Sequence, residues 1–297
     1  MTSAPNRLPL SPDKISYASS GQSWPGRAFI RTVENMTGRR ALLRRAKRHP
    51  RKIEDAENFW AEMVSLFKLR LKVMDGSLDR IPKDGPLVIV ANHPYGILDG
   101  LFMGYILSQT RPDFRILAND IFGAAPQISE IILPISFDPT PEAMRMNLST
   151  RKTAIAYLKD GGAMGVFPGG TVSTSLRPFG LPADTGWRSF AGKLILKSEA
   201  TVVPIFFEGQ NSRRFQIFSR VHTNLRLSLL INEFYRRVED EVRICVGEPI
   251  IAADLTETAR NGRDLMDELR RRTYALDPHA TAPRALGYEF EDIHRRD

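Results

Sequence analysis

The chain is poor in cysteine, with one, Cys245, in 297 residues. That excludes a disulfide framework and fits a reducing compartment. Long apolar runs are missing too. No stretch reaches the ~18 apolar residues that a spanning helix requires, and Met1 to Ser23 lacks the apolar core of a secretory signal. The expectation is a soluble or peripheral protein. There is no Gly-x-Ser-x-Gly elbow, and Cys245 sits in the alternating segment VRICVG as a small core residue. His49, His222, His279 and His294 are scattered in polar settings without metal-ligand spacing. GWRSFAGKL, residues 186 to 194, approaches a phosphate-binding Gly-Lys loop, but its spacing is one residue too long and Leu194 replaces the required Ser or Thr.

What remains is ordinary globular material, 42% hydrophobic and 26% charged, enough for a substantial core and against global disorder. Apolar runs near 87 to 91, 114 to 118, 131 to 137, 163 to 167, 202 to 207 and 242 to 246 read as strands. Helical stretches near 141 to 159, 185 to 199, 211 to 236 and 254 to 274 alternate with them. That alternation predicts an α/β fold, a mainly parallel mixed sheet flanked by helices.

The strongest chemical signal is LVIVANHPYGILD, residues 87 to 99. A continuous Leu/Val/Ile run is what a strand buried on both faces looks like, so His93 falls at its C-terminal edge, where open α/β sheets bind ligands. An imidazole takes a proton near neutral pH, and a carboxylate on its other nitrogen fixes the tautomer. His93 and Asp99 lie on different faces of any regular helix, so the residues between them must turn, and Pro94 and Gly96 suit a turn. The alternative is structural: Asp99 as a helix N-cap and His93 as an ordinary strand-end residue.

GGAMGVFPGGTVSTSLRPFG (161 to 180) brings a second strand to Phe167 and Pro168, then Gly169, Gly170 and Thr171. TVVPIFFEGQNS (201 to 212) is a third, interrupted by Pro204. Together the blocks resemble the lysophospholipid acyltransferase family, over roughly residues 70 to 250. That family carries Asn-His, four residues, then Asp; Phe-Pro-Glu-Gly-Thr; and an apolar strand with a central Pro. Here the blocks are NHPYGILDG, FPGGT and VVPIFF, with five residues between His93 and Asp99 and Gly169 in place of the Glu. Hemolysin-like and ornithine-lipid-related members resemble this longer version. In IILPISFDPT (131 to 140), Asp138 is kept and Pro139 stands where the family has an Arg for lysolipid phosphate. Arg145 is the substitute within reach.

The resemblance implies an O-acyltransferase with His93 as general base, Asp99 orienting it, and direct transfer without an acyl-enzyme. It implies Asn92, Arg145, Phe167, Pro168, Gly169, Gly170, Thr171 and Pro204 as substrate-binding positions. No cofactor is expected beyond an acyl thioester co-substrate, acyl-ACP or acyl-CoA. The acceptor is a membrane lysolipid, lysophosphatidate-type or lyso-ornithine-lipid-type. Gly169, Gly170 and Thr171 suit oxyanion donation, or simply a tight turn. Arg177, Trp187, Arg188 and Lys193 are candidates to meet phosphate or carrier, or form a solvated basic face. Competing readings are a thioesterase or lipase using the same His with water, and a non-catalytic membrane or nucleic-acid binding protein on this fold.

The formal charge of +8 is uneven: no acid lies between Glu34 and Glu54, where Arg39, Arg40, Arg44, Arg45, Lys47, Arg48, Arg51 and Lys52 crowd. Phe29, Ile30, Val33 and Met36 recur upstream at helical spacing. Such a segment can lie on an anionic bilayer, contact nucleic acid, or be a solvated charge run beside a packed helix. The lysolipid resemblance favours the membrane, with no nucleic acid expected, and a peripheral place on the cytoplasmic, inner face of the cell membrane. A second helix is expected over 54 to 72, with Phe59, Trp60, Met63 and Phe67 as its stripe. NSRRFQIFSRVHTNLRLSLLINEFYRR, with Arg213, Arg214, Arg220 and Arg226, is a candidate contact for acyl carrier protein. The expected organisation is a basic helical docking segment (1 to 73), an acyltransferase domain (74 to 276) and a loose tail (277 to 297).

Overall fold

The computed structural model describes residues 16–18, 23–48, 58–119, 128–136, 140–177, 179–259 and 261–289. Asp138, Pro139, Arg51 and Lys52 lie outside the described residues.

The described residues form one seven-stranded sheet in the order β1-β7-β6-β2-β5-β3-β4. Its strands are β1 (Arg70–Asp75), β2 (Leu87–Ala91), β3 (Phe114–Asn119), β4 (Ile132–Ile135), β5 (Ala163–Val166), β6 (Thr201–Phe207) and β7 (Glu241–Val246). Every pairing is parallel except β6 with β7. The helices are α1 (Trp24–Thr37), α2 (Arg39–Lys47), α3 (Phe59–Leu66), α4 (Ile97–Thr110), α5 (Pro141–Lys159), α6 (Ser189–Ser198), α7 (Arg213–Phe218), α8 (Thr223–Arg236), α9 (Ala252–Thr258) and α10 (Gly262–Ala275). The predicted mixed α/β architecture is the observed one.

β2 is the axis of the molecule, and all five of its residues are buried. Leu87, Ile89 and Ala91 point into a core shared with α3, α4 and α8, while Val88 and Val90 point into one shared with α5, α6 and α10. This is why the run is apolar throughout: a period-2 strand with helices on both faces has no solvent side. Pro204 sits opposite Val90, where pairing of β6 with β7 is about to begin at Ile205 and Val246.

Of the helix expected over 54 to 72, residues 54–57 lie outside the described residues, Phe59–Leu66 forms α3, and Arg70–Asp75 is a strand. Lys68 at φ +50° ends the helix in the left-handed region, and the Leu69 N–H closes back on the Val64 carbonyl at 2.9 Å. Arg70 and Lys72 are the outward positions of an alternating strand rather than a basic helix terminus, with Leu71 and Val73 turned inward. β1 crosses the expected boundary at residue 73. The long helices expected over 211 to 236 and 254 to 274 are each divided in two: His222 caps α8, and Asn261 caps α10.

The N-terminal helices pack on the body. α1 lies along α8, with Ile30 fully buried, while Trp24, Phe29 and Met36 face outward. Of the basic cluster, Arg39 is buried and Arg45 bonds the Leu66 carbonyl at 2.7 Å and pairs with Glu239 at 3.0 Å. Arg40, Arg44, Lys47 and Arg48 remain exposed.

The expected loose tail is strapped down as far as it is described. Arg270 donates to the carbonyls of Arg284 and Ala285, and the N–H groups of Gly287 and Tyr288 bond the carbonyls of Asp184 and Thr174.

Candidate active site

Beyond Ala91 the chain leaves the C-terminal edge of the sheet. Asn92 ties that exit to the end of β6: its Nδ2 donates to the Phe207 carbonyl (2.9 Å), and its Oδ1 accepts the Phe207 N–H (2.7 Å). Both ends of the amide are committed, so Asn92 braces the turn; substrate binding, expected from the resemblance, is not the role its contacts give it. Gly96 then caps α4 at φ +88°, and a Cβ there would lie 3.0 Å from Val172. The backbone conformation favours glycine, and the space beside Val172 is tight.

α4 starts at Ile97, which puts Asp99 in its first turn rather than at the N-cap. Its Oδ2 accepts the N–H groups of Tyr95 (2.7 Å) and Gly96 (2.9 Å). The same oxygen lies 3.0 Å from Nδ1 of His93. The pair does not meet full hydrogen-bond geometry, so this is a close polar contact. The structural and functional readings of Asp99 are therefore both met by one oxygen. Asp99 is fully buried, and burial pushes its carboxyl above the usual carboxylate range against the pull of His93 and the two amides.

His93 keeps 18% of its side chain exposed. Its ring stacks on Phe167, centroids 4.2 Å apart and planes 25° apart. With Nδ1 turned to Asp99, Nε2 is the nitrogen left for a substrate proton. Phe167 arrives on β5, the strand beside β2, so the two blocks meet because their strands are neighbours. The corner after it is closed by the Gly170 N–H on the Phe167 carbonyl (3.0 Å), and Gly170 takes φ +73°. That amide is occupied. Among the described residues the amides of Gly169 and Thr171 have no protein acceptor.

A second buried carboxylate, Asp184, escaped the sequence reading. Its Oδ1 accepts the His93 backbone N–H (3.1 Å) and the Ser173 hydroxyl (2.5 Å), and its Oδ2 accepts the Trp187 indole N–H (2.9 Å). Its own N–H donates to the Tyr274 hydroxyl at 2.7 Å. The available signal was that Asp184 is the first acid after Asp160.

Other expected positions do not converge on His93. Pro204 is buried in the sheet, level with Val90. Arg145 is exposed on α5, which packs on the edge strand β4. Trp187 is core, and Arg188 uses its N–H on the Pro168 carbonyl at 3.0 Å and pairs with Glu289. Arg177 and Lys193 are exposed. Among the described residues no group of His, Cys, Asp and Glu is arranged to hold a metal ion, and no helix is long and apolar enough to cross a membrane.

Residues 72–208 match the family model described as Acyltransferase. That stretch contains His93, Asp99 and the Phe167–Thr171 corner. The chain is similar to the lyso-glycine lipid O-acyltransferase of Phocaeicola vulgatus, 25% identical over 189 residues, covering 61% of this chain and 65% of the relative. It is equally similar to the protein of that name from Bacteroides thetaiotaomicron, 25% identical over 189 residues, covering 61% of this chain and 67% of the relative. The chain thus spans just under two thirds of the first relative's length. Among solved structures, the 1-acyl-sn-glycerophosphate acyltransferase of Thermotoga maritima aligns with a TM-score of 0.48 at 17% identity, covering 82% of this chain and 88% of that one.

Proposed function

We propose that this chain, whose residues 72–208 match the Acyltransferase family model and which is similar to two lyso-glycine lipid O-acyltransferases, transfers a fatty acyl group from a thioester, acyl-ACP or acyl-CoA, to the hydroxyl of a membrane lysolipid. His93 Nε2 takes the proton of the acceptor hydroxyl as its oxygen attacks the thioester carbonyl carbon. The C–S bond breaks as the tetrahedral centre collapses, and the imidazolium returns its proton to the leaving thiolate. Asp99 steadies the imidazolium through Nδ1, at the 3.0 Å separation that carries this reading. The free amides of Gly169 and Thr171 border the same corner and suit the oxyanion.

The acceptor class follows from what the site lacks. Gly169 and Pro139 replace the acid and the arginine of the family's phosphate-reading blocks, and two relatives are named for a lyso-glycine lipid. An amino-acid-headed lysolipid, of the lyso-ornithine or lyso-glycine type, fits better than lysophosphatidate. The docking face is the outward side of α1, with Trp24, Phe29 and Met36, beside the exposed Arg40, Arg44, Lys47 and Arg48 of α2. Aromatic and apolar groups inward with cations toward anionic head groups is the arrangement of a helix lying on a bilayer, here the inner face of the cell membrane. The test is transfer of radiolabelled acyl groups to a panel of amino-acid and phosphate lysolipids. Diacyl product from the amino-acid acceptors is expected; free fatty acid alone would mark a thioesterase.

A further inference from the structure

The loop that leaves the catalytic corner carries a second surface. Between Ser173 and Asp184 the chain doubles back as a hairpin closed by one isolated antiparallel bridge, Thr174 with Ala183; Pro178 lies outside the described residues. The hairpin is rooted at the site: the Ser173 N–H bonds the His93 carbonyl at 2.8 Å, and Asp184 holds the His93 N–H. Its far end exposes Leu176, Phe179 and Leu181, the last two at 79% and 71%. α7 lies against this hairpin through Gln216, whose Oε1 accepts the Ser175 N–H at 3.0 Å. α7 and the turn after it expose Ile217, Phe218 and Val221. Scattered exposed apolar residues need no explanation, but six on two touching elements form a patch.

The two stretches that carry it hold cations and no acid. No acid occurs between Asp160 and Asp184 or between Glu208 and Glu233, while Arg177, Arg213, Arg214 and Arg220 fall within those two stretches. The Arg213 guanidinium stands 6.0 Å from the centre of the Phe179 ring, and Arg220 stands over Tyr288 at 4.9 Å. The patch also borders α1: a Cβ at Gly26 would lie 2.7 Å from Nδ2 of Asn224, just beyond Val221, and Trp24, two residues before Gly26, is 74% exposed.

We propose that Leu176, Phe179 and Leu181, together with the exposed side of α7, form a second bilayer contact, additional to the outward face of α1 and α2, that holds the His93 corner at an anionic membrane surface. The apolar side chains project from a hairpin end instead of lining a groove. That suits insertion among acyl chains, with the arginines at head-group level. An acidic protein carrier would need the cations but not the projecting Phe179 and Leu181. The inference rests on the proposed function only in taking the acceptor to be a lipid.

The test uses the full chain and vesicles of phosphatidylcholine with phosphatidylglycerol. Phe179→Asp/Leu181→Asp and Arg213→Glu/Arg220→Glu are each expected to weaken cosedimentation tenfold or more. With acyl-CoA as the donor, both should leave transfer to a short-chain, water-soluble acceptor unchanged, which separates docking from chemistry. Independently, Phe179→Trp in a Trp24→Phe background is expected to be quenched by brominated phosphatidylcholine, since Trp60 and Trp187 are buried. Vesicle-bound protein whose Trp at 179 is not quenched would overturn the proposal. So would vesicle binding that these variants leave intact while they lose binding to an acidic acyl carrier protein.

Discussion

Gly169 makes room for Asp184: a Cβ at position 169 would lie 3.1 Å from the Asp184 Cβ and 3.2 Å from its carboxyl carbon. The place into which the family's usual glutamate would grow is filled here by a carboxylate from fifteen residues further along the chain. That carboxylate braces the His93 backbone, Ser173 and Trp187. Asp184→Ala strands three donors in the core and is expected to cost about 2–5 kcal/mol, read as a fall in denaturation midpoint. Gly169→Glu alone overpacks the corner, by about 1–3 kcal/mol. Combined with Asp184→Ala it should cost less than the sum, and strict additivity in the double-mutant cycle would argue against shared space.

Asp99→Asn is expected to lower kcat/KM by about 10²–10⁴, since the imidazolium loses its partner. Stability responds in the opposite sense. Burial raises the Asp99 carboxyl, so the folded chain binds that proton more tightly than the unfolded one. Its contribution is full below the ordinary carboxylate range and is lost as pH rises through the raised value. Asp99→Asn should therefore melt no lower than the unaltered chain at pH 8 and lose any advantage at pH 4.

Asn92→Leu removes both bonds to Phe207. A loss of about 1–3 kcal/mol is expected from two orphaned backbone groups, with KM for the lysolipid little changed in the fraction that folds. A large rise in KM at unchanged stability would restore Asn92 to the substrate.

Phe167→Ala frees one face of the His93 ring. Loss of packing of about 3–5 kcal/mol is the upper range for a buried aromatic, and Phe167 is only partly buried, so a smaller loss is expected. Phe167→Leu keeps bulk without the stack. It should lower kcat more than it raises KM, measured at saturating acceptor.

Much of this was legible before any coordinates. β2 could be read because a strand buried on both faces leaves no polar positions, and the turn to Asp99 because no helix lets positions 93 and 99 meet. β1 was missed because Arg70 and Lys72 alternate with Leu71 and Val73 over too few residues to outweigh a neighbouring helical stripe. Asp184 was missed because its partners are backbone and side chains from three separate segments, which no local pattern encodes. Trp187 is a candidate for phosphate or carrier only through its basic neighbours, while its indole is drawn inward by Asp184. Arg145 matched a gap in the block order, but α5 carries it to the side of β4.

The pairing of His93 with Asp99 is tested most directly by the initial rate of acyl transfer from a thioester to lysolipid in His93→Ala, with folding checked by circular dichroism. Transfer should fall to the rate without protein while the fold is retained. Turnover within a few-fold of the unaltered chain would contradict a catalytic base at position 93.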